Sequence, residues 1–158
     1  MHITPNLWFD GNAEEAAEFY VSVFGGRVLA TTRYPEGTRG TPGEVMTVSW
    51  EVLGQKFVGI NGGDLFQFNE AISFEIDCED QDEVDRYWAA LTADGGQEGP
   101  CGWCKDRFGV SWQVVPKGFE DAFRDHTDPR ATRAFKAMEG MTKLDVAVLR
   151  EAAGGVPA

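Results

Sequence analysis

The segment from Asn12 to Leu91 contains one helix signature twice. The second copy stands 68 residues after the first, so that Asn12 matches Asp80, Glu15 matches Glu83, Phe19 matches Tyr87, Tyr20 matches Trp88 and Val23 matches Leu91. In each copy an Asn or Asp precedes a carboxylate by three positions, the spacing of a helix N-cap answered from within the first turn. Apolar residues then recur at i, i+3, i+4 and i+7, which gives each helix one buried face. A strand-like run precedes each helix (Ile3 to Phe9, Ile72 to Asp77), and a glycine pair follows each (Gly25-Gly26, Gly95-Gly96). A chain built this way must join two similar half-sheets, and the concavity expected between them is where a ligand would sit.

The strands that complete the unit follow from alternation and turn residues. Val28 to Tyr34 is rich in β-branched residues, Pro35 to Gly43 is a loop, and Val45 to Val52 alternates with Met46, Val48, Trp50 and Val52 on its buried face. Lys56 to Ile60 returns after a turn, completing βαβββ. In the second half, strand and helix lead into Gln97 to Lys105, a turn at Asp106 to Gly109, and Val110 to Val115. Past Pro116 the pattern turns helical, with cap signals at Asp128-Pro129 and at Thr142 with Asp145. The expected fold is α+β: two βαβββ modules (1–63 and 64–116) forming a curved mixed sheet around a cleft as one domain, with a helical tail over 117–158.

Composition narrows the partners. A formal charge of −12 argues against nucleic acid, whose phosphates call for clustered Lys and Arg. No apolar run is long enough to span a bilayer, and no export signal leads the chain, so the expectation is a cytoplasmic protein that does not engage membranes. Three cysteines, an odd number, do not read as a disulfide framework.

The runs ITPNLWFDGNAEEAAEFYVSVFGG, FNEAISFEIDCEDQDEVDRYWAAL and CGWCKDRFGVSWQVVP resemble the PhnB-like branch of the vicinal-oxygen-chelate superfamily, a branch often labelled with a 3-demethylubiquinone-9 3-methyltransferase domain. The tail DPRATRAFKAMEGMTKLDVAVLREAAGG is similar to the end found in that branch. Enzymes of the superfamily, glyoxalase I among them, hold a divalent metal with His or carboxylate side chains from both modules. The resemblance places those ligand positions at or next to Pro5, at Ala71 with Glu70 beside it on the first strand of the second module, and at Gln113. Proline and alanine offer no donor and an amide carbonyl is a weak one, so no metal and no other cofactor is expected.

Other chemistries find little support. Cys101 and Cys104 have thioredoxin-type spacing, but no helix follows to lower a thiol pKa, and on one strand the two would face apart. His2 and His126 are the only imidazoles and read as surface residues. Methyl transfer by the usual nucleotide route needs a glycine-rich strand-to-helix turn, and Gly25-Gly26 instead ends a helix. The acidic starts Glu14-Glu15 and Glu79 to Asp85 favour the positive ends of helix dipoles.

The aromatic residues are the better guide. Asn6, Trp8, Asn61, Phe66, Phe68, Cys101, Trp103 and Gln113 are expected to line the cleft as an apolar wall with a few polar pins. Asn6 and Gln113 stand out as polar residues on otherwise apolar strands. The leading reading is a metal-free protein that binds a small, partly aromatic molecule. A metal-dependent lyase, isomerase or dioxygenase and a drug-sequestering resistance protein are the alternatives. The apolar stripe of the tail, from Ala131 to Leu149, together with the resemblance, leads us to expect a homodimer.

Overall fold

A computed structural model describes residues 3–154, so His2 lies outside the described residues. The chain divides into two compact units, Met1–Phe68 and Asn69–Ala158. Each holds one four-stranded mixed sheet.

In the first unit β1 (Asn6–Phe9), α1 (Ala13–Phe24), β2 (Arg27–Arg33), β3 (Val45–Val52) and β4 (Gln55–Asn61) form a sheet of order β1-β4-β3-β2. The β1–β4 pair is parallel, because α1 carries the chain back between them, and the other two pairs are antiparallel. The alternation of β3 places Val48, Trp50 and Val52 in the core, with Leu7 and Phe9 of β1 and Tyr20 of α1. Trp50 lies stacked between Tyr20 and Phe57, with ring centroids 5.7 Å away on both sides. The edge strand β2 leaves all seven of its residues exposed.

The second unit repeats this order with β5 (Ser73–Cys78), α2 (Gln81–Thr92), β6 (Gln97–Glu98), β7 (Trp103–Lys105) and β8 (Ser111–Pro116), in the sheet β5-β8-β7-β6. A turn at residues 99–102 divides the stretch that the sequence left as one run. Beyond it come a short 3-10 helix (Phe119–Phe123), α3 (Pro129–Glu139) and α4 (Val146–Ala152). The first strands of the two modules align at an offset of 69, since Phe9 and Cys78 end β1 and β5, whereas the helices keep 68. The extra residue of the first strand-to-helix link is accommodated at Gly11, whose φ of 82° suits a residue without a Cβ.

The two helix starts differ from expectation in an informative way. Asp80 caps α2 through its Oδ1, which accepts from Glu83 N at 2.9 Å, while Glu83 Oε2 accepts from Glu79 N. Asn12 makes no such bond. At α1 the Ala13 N–H donates instead to Asn61 Oδ1 at 2.9 Å, from the end of β4. In the tail, Ala131, Ala134, Leu144, Val146 and Leu149 are buried, leaving Phe135 and Val148 as its exposed large apolar residues. The apolar stripe is thus largely covered without a second subunit. Among the described residues no helix is long and apolar enough to cross a membrane.

Candidate functional site

Each sheet has a face turned away from its helix, and the pairing register shows what that face carries. In the first module Asn6 sits beside Val58, Val58 beside Ser49, and Ser49 beside Ala30, a row of small or aliphatic side chains after the first. In the second module the equivalent row is Glu75, Gln113 and Trp103. The next row is Ser73, Ser111 and Lys105.

These side chains interact with one another. Gln113 Nε2 donates to Ser73 Oγ at 2.9 Å, and Lys105 is ion-paired with Glu70. That pair holds the Glu70 carboxyl below its usual pKa, chiefly through the Lys105 hydrogen bond. Partial burial raises the pKa of Glu75, and the neighbouring charges of Asp77 and Glu120 add to the effect. Beside the face lies a cavity of about 450 Å³ whose wall includes Cys101, Trp103, Lys105, Ser111 and Glu70.

Of the residues singled out from sequence, the second module brings Trp103 and Gln113 together as direct cross-strand neighbours, with Cys101 at the cavity wall. Cys101 is not on the strand: it occupies the turn before β7 with a φ of 57°. The cysteines are free, and burial pushes the Cys78 and Cys104 thiols up to about 12. Ala71, assigned from sequence to a strand, stands in a turn where its N–H donates to Asn69 Oδ1.

In the first module the half-buried Trp8 donates its indole N–H to Gly63 O at 2.8 Å and meets the exposed Phe66 edge to face at 5.0 Å. Phe68 packs edge to face on Phe9 at 5.2 Å, which ties it to the core side of β1. Asn6 is exposed and donates to Thr4 O. Asn61 has both ends of its amide engaged, since Oδ1 accepts from Ala13 N and Nδ2 donates to Val45 O at 3.0 Å.

Sequence reasoning missed Glu75, Lys105 and Ser73. The signal for Glu75 was present: in SFEIDC the two carboxylates alternate with Ile76 and Cys78, which marks one polar face on that strand.

The turn that carries Cys101 is backed by the tail. Cys101 N donates to Met141 O and Gly102 N to Thr142 O, both at 2.8 Å. Gly102 has a φ of 81°, and a Cβ there would meet Val114 O at 2.9 Å and Leu144 Cδ1 at 3.0 Å. Gln81 of α2 clasps the same segment, donating to Leu144 O at 3.2 Å and accepting from Val146 N at 2.7 Å. The tail segment 141–146 is therefore a brace behind the turn that carries Cys101.

A model of the 3-demethylubiquinone-9 3-methyltransferase family matches residues 1–115. The chain belongs to that family. Among solved structures, the PhnB protein from Bacillus cereus is 32% identical, with a TM-score of 0.64 over 73% of this chain and 99% of that one. The protein PA1353 from Pseudomonas aeruginosa is 22% identical, with a TM-score of 0.62 over 74% and 98%. The fosfomycin resistance protein FosX from Listeria monocytogenes, complexed with Mn(II) and sulfate, is 14% identical, with a TM-score of 0.53 over 77% and 93%. The last two likenesses are of fold alone, the vicinal-oxygen-chelate fold. No curated protein matches the chain. The match to the 3-demethylubiquinone-9 3-methyltransferase family ends before the tail, so the tail motif quoted above lies beyond it.

Among the described residues no three His, Cys, Asp or Glu side chains are grouped to hold an ion, and the Gln113 amide is turned to Ser73.

Proposed function

We propose that the chain binds a small, partly aromatic molecule on the open face of its second module, without a catalytic metal. The observation that carries this reading is the cross-strand pair of Trp103 and Gln113 beside a ligand-sized cavity. The indole supplies an apolar platform. Gln113 spends its N–H on Ser73, which leaves Oε1 to accept from a ligand donor. Cys101 closes the wall, and Glu75 offers a carboxyl that holds its proton to higher pH than usual. In the first module by itself, the half-buried Trp8 with the exposed Phe66 and Asn6 makes a separate aromatic and polar surface; Asn61 and Phe68 are committed chiefly to their own fold. The methyltransferase in the family's description is not part of the proposal.

Calorimetric titration with 2-naphthol tests it. Saturable one-to-one binding that Trp103→Ala abolishes is expected. Absence of saturable binding, or binding indifferent to Trp103→Ala, would overturn it. The competing reading is a metal-dependent enzyme, favoured by the Mn(II) that FosX holds on a similar fold. Elemental analysis of the purified protein separates the two, since near one equivalent of a divalent transition metal would decide for the enzyme. The homodimer is retained in this proposal on the exposed edge strand β2, where Val28 and Leu29 face solvent. Light scattering at micromolar concentration checks it, and a particle of 17.4 kDa would reject it.

A further inference from the structure

The tail encloses a second cavity, of about 390 Å³, within the second unit. Its floor is apolar, built from Pro116 at the end of β8 and from Val146, Leu149 and Ala153 around α4. Charged groups ring it, and they are unequally satisfied. Each lining carboxylate already has a donor: Glu79 has Lys117, Asp121 has Arg124 at 2.6 Å, and Asp128 has the backbone and side chain of Arg130 at 2.8 and 2.7 Å. Asp125 accepts from Thr127 N and Oγ1 at 2.9 and 2.7 Å. Those pairs occupy three of the four lining cations. Arg150 is the fourth, and among the described residues it has no ion-pair partner.

The capacity left unmet is therefore a guanidinium fork beside an apolar floor, in a space of the size that small ligands occupy. We propose that the tail carries a second binding site, for a small organic acid whose carboxylate pairs with Arg150 and whose apolar body lies on Val146 and Leu149. Most of its lining residues lie outside the part of the chain that matches the family model, so the site belongs to the extension and not to the paired modules.

Octanoate is the probe, titrated calorimetrically into the full chain at neutral pH. Saturable one-to-one binding is expected, weakened about tenfold or more by Arg150→Glu, as loss of a charge-assisted hydrogen bond implies. Arg150→Lys should retain most of it, and uncharged octanamide should bind about tenfold more weakly than octanoate. Excess 2-naphthol should leave octanoate binding unchanged, which separates this site from the one beside Trp103. No saturable octanoate binding, equal affinity in Arg150→Glu, equal affinity for octanamide, or displacement by 2-naphthol would each overturn the proposal.

Discussion

The two modules treat a buried indole in opposite ways. Trp50 in the first is fully buried between Tyr20 and Phe57, and its Nε1 has no hydrogen-bond partner. Trp112 in the second donates its Nε1 to Asp106 Oδ2 at 2.8 Å. Asp106, itself buried, also accepts from Phe108 N at 2.8 Å and Val110 N at 3.1 Å, so one carboxylate ties the turn before β8 to the core. The first module is held by aromatic stacking and carries the cost of one unmet donor. The second is held by a satisfied polar network, and the same module presents the polar open face. A fold repeated in one chain thus assigns packing to one copy and directional bonds to the other.

The sharpest way to break this comparison is Asp106→Ala. It strands a buried indole N–H and two backbone N–H groups, and should cost about 3 kcal/mol or more in urea unfolding. A loss under about 1 kcal/mol would show that the network is dispensable. Next in size is the pair Trp112→Phe and Trp50→Phe. The first removes one donor from a buried carboxylate and should cost about 2–3 kcal/mol, whereas the second also removes an unsatisfied group and should cost about 1 kcal/mol or less. Equal losses would remove the distinction between the modules.

Gln81→Leu, which releases Leu144 O and Val146 N, should cost about 1–2 kcal/mol and speed hydrogen exchange at the Cys101 and Gly102 amides. Unchanged exchange there would show that the brace does not depend on this clasp.

The smallest effect concerns Glu75. Its pKa is raised above the ordinary 4.5, so the folded chain holds the proton at pH values where the unfolded chain has released it. Its contribution to stability is fully present at low pH and is lost as pH rises through the folded-state pKa. Glu75→Gln should therefore stabilise the protein above that pH, by on the order of a few tenths of a kcal/mol given the exposure of the group. A loss of stability at neutral pH would give the carboxylate a partner not identified above.

Features local in sequence were the legible ones. The helices Ala13–Phe24 and Gln81–Thr92 follow from i, i+3, i+4 periodicity, and the mixed two-module fold from the repeat. What escaped was set by long-range pairing. Asn61 caps α1 from 48 residues away, which no capping-box spacing can reveal. Cys101 looked like a strand residue because its partner, Met141, lies far along the chain. Trp103 and Gln113 became neighbours only once the register of β7 on β8 was known.

The brace imposes an order on synthesis. The amides of Cys101 and Gly102 are made 40 residues before the carbonyls that receive them, Met141 and Thr142. As the chain grows, everything that matches the family model has been polymerised before the acceptors exist. Until then the turn beside β7 has two donors that only water can satisfy, and Leu144 has not yet arrived to pack against Gly102. The second module therefore completes itself late, through contacts of long sequence separation, which are the slow ones to form. The first module, whose strand pairs and α1 start close within residues 6–61, has no such wait.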